Sequence, residues 1–227
     1  MSDSIVITVD GPSGSGKGTL CQRLAEKLGF HLLDSGALYR LTALASMEKG
    51  INLANEAATA EIARNLDVSF KSSADGVNAF LAGRDVSREI RSEKVGMGAS
   101  QVAALPAVRA ALLERQRVFQ QAPGLIADGR DMGTTVFPGA AVKLFLTASA
   151  EERANRRYNQ LIDRGESANL RALLEDIQAR DARDMRRSAS PLAPAKDAIM
   201  IESTSMPIDK VFEMALVVIA EQTSLSI

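Results

Sequence analysis

A glycine-rich segment that contains one lysine is the part of this sequence best suited to chemistry. Residues 11–19 match the spacing G-x-x-x-x-G-K of a phosphate-binding loop. Glycines let backbone N–H groups curl around a phosphate without obstruction by side chains, and Lys17 supplies a positive charge. Gly18 stands where serine or threonine is usual, so Thr19 offers the nearest hydroxyl for Mg²⁺.

The residues around this loop predict the elements that would position it. Residues 5–9 form a short apolar run, typical of a buried strand in a parallel sheet. Behind the loop Leu20, Leu24 and Leu28 recur every four residues and share one helix face, and Gly29 stands where that helix would end. A glycine-rich turn that binds nothing is the plainer alternative, but strand, lysine and helix in register favour phosphate binding.

The rest of the chain alternates between predicted strands and helices. Further strands are predicted at 30–33, 125–127, 142–146 and 198–201, and helices at 94–121, 150–163, 169–187 and 208–222. This alternation indicates an α/β fold with a five-stranded parallel sheet flanked by helices. Residues 66–91 interrupt it with a small inserted antiparallel β segment, whose hairpin turn is indicated by Asp75-Gly76. We expect this insert on the substrate side, since such sheets bind ligands beyond the carboxyl ends of their strands.

Polar residues follow two of the predicted strands directly. After strand 30–33, the hydroxyl of Ser35, the ring of Tyr39 and the guanidinium of Arg40 suit a phosphate and a base or sugar. Asp34 or Ser35 could also cap a helix there. After strand 125–127, Asp128 stands where a carboxylate commonly holds Mg²⁺ or its waters, although it could instead cap a turn.

Arginines form a further set of candidate residues. Arg153, Arg156 and Arg157 fall on one predicted helix, and a second helix carries Arg180, Arg183, Asp184 and Arg187. For any single arginine a solvated ion pair is the simpler interpretation, because carboxylates are abundant nearby. As a set beside a phosphate loop, the arginines are suited to stabilising a phosphoryl group in transfer. Arg130 could clamp an acceptor phosphate, and Gly165 could help a lid to move.

Composition excludes several classes of protein. With 227 residues, one domain or one core with insertions is expected. A net charge of -1 provides no general basic surface for nucleic acid or membrane. The single cysteine, Cys21, excludes an internal disulfide and zinc sites built on cysteine pairs, and no apolar stretch is long enough to span a bilayer. We therefore expect a cytoplasmic protein.

The residues that are missing also bear on the acceptor. His31 is the only histidine, so Ser-His-Asp and His–metal chemistry have no support. Transfer of a phosphoryl group to an alcohol needs a base near the hydroxyl, whereas the oxygen of a monophosphate is already an anion. Many arginines and no obvious base favour a monophosphate acceptor.

Four segments together resemble the bacterial cytidylate kinases: residues 11–19, 34–40, 128–134 and 180–184. The resemblance covers nearly the whole chain, and the second and third segments make it specific. It implies a monomeric enzyme of pyrimidine nucleotide metabolism that moves the γ-phosphate of ATP, with Mg²⁺, to CMP or dCMP. It further implies an ATP-binding core at 1–34, 101–152 and 166–227, a CMP-binding region with the inserted sheet at 35–100, and a lid at 153–165.

The resemblance also implies roles for individual residues. ATP would be bound by Gly11, Pro12, Ser13, Gly14, Ser15, Gly16, Lys17, Gly18 and Thr19. The acceptor phosphate would be held by Arg40, Arg130 and Arg187, the cytosine by Ser100, Arg109 and Asp131, and the ribose by Arg180 and Asp184. Ser35 and Tyr39 would complete the acceptor site. Catalysis would depend on Lys17, Arg130, Arg156, Arg157 and Arg187, and Mg²⁺ on Thr19 and Asp128, directly or through water.

Two alternatives of different kinds stay open from the sequence. The nearer one is another small-molecule kinase with the same loop, acting on uridylate, adenylate, shikimate or dephospho-coenzyme A. The other is a nucleotide-switch protein that binds without rapid turnover. The guanine-reading stretch Asn-Lys-x-Asp is absent, since no asparagine is followed by lysine.

Overall fold

A computed structural model of the protein describes residues 4–73 and 76–225. In chain order its helices and strands are β1 (Ile5–Asp10), α1 (Lys17–Leu28), β2 (His31–Asp34), α2 (Ser35–Glu48), α3 (Glu56–Arg64), β3 (Val68–Ser73), β4 (Gly76–Leu81), β5 (Arg84–Asp85), α4 (Glu93–Val102), α5 (Pro106–Arg117), β6 (Gly124–Gly129), β7 (Val142–Thr147), α6 (Ala150–Asp163), α7 (Leu170–Arg186), β8 (Ile199–Glu202) and α8 (Ile208–Gln222). A single 3₁₀ turn lies at Glu89–Arg91 and a π-helical turn at Met132–Val136.

These elements form two compact units. The first comprises Met1–Leu33 with Phe119–Ile227, and the second comprises Asp34–Val118. The sequence placed residues 101–118 with the ATP-binding core, but they belong to the second unit. Their helix α5 packs there against α3, and the Glu56 carboxylate accepts the Ala107 backbone N–H at 2.7 Å.

The first unit is built on a five-stranded sheet in the order β2-β6-β1-β7-β8. Strand β1 pairs in parallel with β6 on one side and β7 on the other, so that Val9 lies between Asp128 and Leu144. Helices α1 and α8 bury Leu24 and Ala215 in the core beside this sheet. The predicted parallel α/β sheet is confirmed, and the carboxyl ends of β1 and β6 lie side by side.

The second unit holds the inserted antiparallel sheet that the sequence predicted. Its strand order is β3-β4-β5, with Val68 opposite Leu81. The predicted turn residue Asp75 lies outside the described residues. Helix α2 begins as one of the sequence alternatives suggested, because the Asp34 carboxylate accepts the Ala37 N–H at 3.0 Å.

The helix predicted over 94–121 is wrong, because two helices occupy that range. Helix α4 ends at Val102 and α5 begins at Pro106. Proline has no N–H to donate and forces the residue before it out of the helical region, as the extended backbone of Leu105 shows. Within the described part of the chain, no single helix is long and apolar enough to cross a membrane. By length and composition alone the bent pair α4–α5, with 101° between its axes, would pass that test.

Candidate active site

The glycine-rich loop leaves the end of β1 and leads into α1. Gly11 adopts φ 148°, and a Cβ atom added to it would lie 2.0 Å from the Leu146 carbonyl oxygen on β7. Gly16, with φ 96°, caps the amino end of α1, and Lys17 is the first residue of that helix. The loop therefore requires glycine at Gly11, where β7 is too close for a side chain, and favours it at Gly16, where the backbone is left-handed. The amino end of α1, with its partial positive charge, borders the loop.

The Gly11→Ala variant should lose about 3 kcal/mol or more of unfolding free energy, because the new methyl group meets a backbone carbonyl and strains φ. Urea unfolding followed by circular dichroism measures it. Gly139→Ala is the matched control, since nothing lies within 4 Å of its added Cβ, and its free energy should stay within about 0.5 kcal/mol of the native value. Equal behaviour of the two variants would contradict the close packing at Gly11.

Lys17 is buried at the centre of this loop. Its ammonium donates to the Pro12 carbonyl at 2.8 Å, and the Ser15 hydroxyl donates to the same oxygen at 3.1 Å. Burial, helped by the nearby charge of Arg130, lowers the pKa of Lys17 to about 8 against the opposing pull of Asp128. The hydrogen bond of Lys17 goes to a neutral carbonyl. A phosphate entering the loop would give this cation an anionic acceptor, which forms a stronger, charge-assisted bond.

Carboxylates at the ends of β1 and β6 flank the loop. Asp128 places Oδ2 3.7 Å from the Cβ position of Gly18, beside the start of α1. Asp10 accepts the backbone N–H groups of Met132 and Gly133, both at 2.8 Å. Burial raises the pKa of Asp10 to about 6 in spite of these two hydrogen bonds. Asp10 thus ties the strand before the phosphate loop to the segment that follows Asp131.

Arg130 and Asp184 form a pair beside these carboxylates. Arg130 Nε donates to Asp184 Oδ2 at 2.9 Å. Burial alone would raise the pKa of Asp184, but the charge and hydrogen bond of Arg130, together with the charges of Arg187 and Arg180, outweigh it and lower the pKa. Nearby, Arg187 Nη2 lies 3.8 Å from Asp131 Oδ1, and both side chains are buried. The structure therefore brings together Arg130 and Asp131, which follow β6, with Asp184 and Arg187 at the end of α7.

Two arginines of α6 contact the phosphate loop through its carbonyl oxygens. Arg156 donates to Ser15 at 3.2 Å and to the Ser203 carbonyl at 2.6 Å. Arg153 donates to the Ser13 carbonyl at 3.1 Å. Arg157 is half-buried on the same helix. Most of the segment predicted as a lid, residues 153–165, is therefore part of α6, which ends before Gly165.

The acceptor candidates of the second unit lie on α2, α4 and α5. The guanidinium of Arg109 stands over the Tyr39 ring, 5.6 Å from its centroid, and donates to the Ala103 carbonyl at 3.3 Å. Arg40 donates to the Ile90 carbonyl at 2.6 Å. Ser100 is buried on α4, which packs against α2, and Ser35 is the first residue of α2. The structure joins Tyr39 to Arg109 by direct contact.

Comparison with known proteins gives the family. The sequence model described as Cytidylate kinase matches residues 7–221, which is nearly the whole chain. The chain belongs to the cytidylate kinase family. The recognition made from residues 11–19, 34–40 and 128–134 is thereby confirmed.

Individual relatives support the assignment to the cytidylate kinase family. The chain is 59% identical to the cytidylate kinase of Photobacterium profundum over 95% of each chain. It is 60% identical to that of Aliivibrio salmonicida over 94% of this chain and 95% of the relative. A solved gluconokinase from Sinorhizobium meliloti 1021 superposes with a TM-score of 0.48 at 18% identity, over 96% of this chain and 92% of that one, which is too distant to bear on activity.

Sequence reasoning missed two contributors to the site of this cytidylate kinase family member. Asp10 directly follows the predicted strand 5–9 and was not predicted as a site residue, although a carboxylate just before a phosphate loop is a recognisable candidate. Ser203 carried no signal at all, because it follows β8 in an ordinary polar turn and meets Arg156 and the Thr147 carbonyl only in the folded sheet.

Proposed function

We propose that this member of the cytidylate kinase family transfers the γ-phosphate of ATP to CMP and dCMP, giving ADP with CDP or dCDP. The observation that carries the proposal is the buried ammonium of Lys17 in a glycine loop beside the Arg130–Asp184 pair. The loop offers backbone N–H groups and a cation to a triphosphate. The pair places a guanidinium at the end of the strand next to β1, where a second phosphate can be held.

The proposed reaction needs orientation and electrostatics more than proton transfer. An oxygen of the acceptor phosphate attacks the γ-phosphorus while the bond from that phosphorus to the β–γ bridging oxygen breaks, and ADP leaves. Negative charge spreads over the transferred group in a loose transition state. Lys17, Arg130 and Arg187 are proposed to stabilise that charge, with Arg156 and Arg157 adding to it when a nucleotide is bound.

The residues present fit a magnesium ion. Among the residues that the structure describes, no group of three His, Cys, Asp or Glu side chains could hold a metal. Mg²⁺ with a nucleotide needs no such cage, since it keeps several waters and binds phosphate oxygens with one or two protein groups. Asp128, half-buried beside Gly18, and the exposed hydroxyl of Thr19 are proposed for that role. When bound, the ion would neutralise charge on the phosphates.

Acceptor recognition is proposed separately for the two units. In the first unit, Arg130 and Arg187 would hold the acceptor phosphate, Asp131 the cytosine, and Arg180 and Asp184 the ribose. In the second unit, the family likeness supports contacts with the acceptor by Ser35, Tyr39, Arg40, Ser100 and Arg109. The buried guanidinium of Arg109 on the Tyr39 ring supports a preorganised polar surface there.

The experiment that tests the proposal is ADP release from ATP and Mg²⁺ with CMP, dCMP, UMP, AMP, GMP or no acceptor. Turnover that is fastest with CMP and dCMP is expected. Faster turnover with UMP or AMP would move the assignment to another nucleoside monophosphate. Absence of turnover with every acceptor would sink the proposed reaction and leave shikimate and dephospho-coenzyme A to be tried.

Asp131→Ala should reduce the preference for CMP over UMP, measured as the ratio of kcat/KM values, by about 10-fold or more. A carboxylate accepts a hydrogen bond from the N4 amino group of cytosine, whereas uracil presents an O4 acceptor there. Asp131→Asn keeps the size and can donate to O4, so its preference should shift further toward UMP. Asp67→Ala, an exposed acid in the second unit, is the control. An unchanged ratio in both Asp131 variants would remove this residue from base reading.

A further inference from the structure

Arg153 and Asp181 form a partly buried ion pair whose role the proposed reaction does not explain. Arg153 is 4% exposed. Its Nη1 donates to Asp181 Oδ1 at 3.0 Å and its Nη2 to Asp181 Oδ2 at 2.5 Å. This is the two-pronged geometry that gives a guanidinium–carboxylate pair a fixed orientation.

The same guanidinium also holds the phosphate loop. Nη1 donates to the Ser13 carbonyl at 3.1 Å, and Nε donates to the Ala148 carbonyl, just before α6, at 2.9 Å. Four of the five N–H donors of an arginine are therefore directed at fixed acceptors. The Arg153 Cβ atom further lies 3.1 Å from the Cβ position of Gly14, so the loop packs directly on this side chain.

The other end of the pair stands on the helix that carries the acceptor candidates. Asp181 lies on α7 between Arg180 and Asp184, and α7 packs along α6. One turn further on, Asp184 holds Arg130, and Arg187 follows at the end of the helix. One rigid guanidinium therefore connects the loop proposed for ATP with the helix proposed for the acceptor.

We propose that the Arg153–Asp181 pair is a positioning pair that couples nucleotide binding in the phosphate loop to monophosphate binding at α7. The inference rests on the proposed function, because it takes the loop for ATP and α7 for the acceptor. A phosphate that accepts backbone N–H groups of the loop holds the loop still, and with it the Ser13 carbonyl that Arg153 contacts. Arg153, held there, fixes Asp181 and so the orientation in which α7 presents Asp184 and Arg187. Since coupling between two sites is reciprocal, each ligand strengthens the other by the same factor.

The test compares dissociation constants of CMP, measured by titration calorimetry with and without a non-hydrolysable ATP analogue and Mg²⁺. For the native chain we expect the analogue to lower the dissociation constant of CMP by at least about 5-fold; this ratio is the coupling factor. Asp181→Asn keeps the shape but removes the charge and one of the two strong acceptors, so its factor should fall to within about 2-fold of unity. Arg153→Lys, which loses the two-pronged geometry, should show the same loss of coupling as Asp181→Asn. Glu175→Gln is the control, because it breaks the exposed Arg171–Glu175 pair on the same helix, and it should keep the native factor.

The outcomes separate positioning from stability alone. A merely structural pair would lower the melting temperature and weaken both ligands in its variants without changing the coupling factor, and that result overturns the inference. A native factor of one overturns it as well, as does a native factor retained in both Asp181→Asn and Arg153→Lys. If the native chain phosphorylates no monophosphate, the proposed function and this inference fail together. Turnover of CMP with unchanged coupling overturns the inference alone.

Discussion

The Lys17→Ala variant should lose about 1,000-fold in kcat with ATP and CMP. The ammonium of Lys17 is buried at the start of α1 and donates a hydrogen bond to the Pro12 carbonyl. In the proposed reaction it faces charge that grows between the β- and γ-phosphates. Removal of one preorganised donor of this kind costs about 100- to 1,000-fold in rate, and we expect the upper end because this donor is also a full charge in a buried site.

Stability measurements distinguish this loss from unfolding. Burial lowers the pKa of Lys17 to about 8, so folding disfavours the charged form of this side chain and its removal relieves that cost. We therefore expect the melting temperature of Lys17→Ala to be no lower than the native one. Lys27→Ala, at the exposed end of the same helix, should leave kcat unchanged. A variant that kept more than about a tenth of the native kcat would contradict the assignment of Lys17 to phosphoryl transfer.

Local patterns explain why the phosphate loop could be predicted from the sequence. Gly11, Gly16 and Lys17 are close together in the chain, and the backbone angles that they need are properties of single residues. The parallel sheet could be predicted for a similar reason, because continuous apolar runs separated by helices have few other solutions. The family segments added the acceptor residues, which no local pattern could have assigned to cytosine.

Contacts between distant residues account for what the sequence could not supply. Asp10 meets the Met132 N–H across a separation of 122 positions, because β6 lies beside β1 in the strand order. Nothing local encodes that order. The extent of helix α2 beyond its possible start at Asp34 or Ser35 was not predicted, since the helix is buried on most sides and its apolar residues form no stripe. The helix predicted over 94–121 runs through Pro106, where proline instead begins a new helix.

The Arg130→Ala variant should lower kcat/KM for CMP by about 100- to 1,000-fold while the KM for ATP changes little. Arg130 is proposed to hold the acceptor phosphate. Burial would lower its pKa, but the charge and hydrogen bond of Asp184, with the charges of Asp128 and Asp181, together outweigh burial and raise the pKa. It is therefore a permanent cation whose place is fixed before substrate arrives. Arg130→Lys keeps the charge but loses the planar fork, so it should recover only part of the loss. Initial rates over a grid of ATP and CMP concentrations measure both effects.

The stability of the Arg130→Ala variant affects the interpretation of its kinetics. The buried carboxylate of Asp184 loses its hydrogen bond with Arg130 in this variant but keeps the charges of Arg187 and Arg180 nearby, so partial destabilisation is expected rather than unfolding. Rates are therefore compared at a temperature well below the melting point of each variant. Arg171→Ala, an exposed arginine on α7, controls for loss of a positive charge and should keep the native kcat/KM. If Arg130→Ala raised the KM for ATP and left the KM for CMP unchanged, Arg130 would belong to the nucleotide donor instead, and the acceptor phosphate would have to be held by other cations, with Arg187 the first to test.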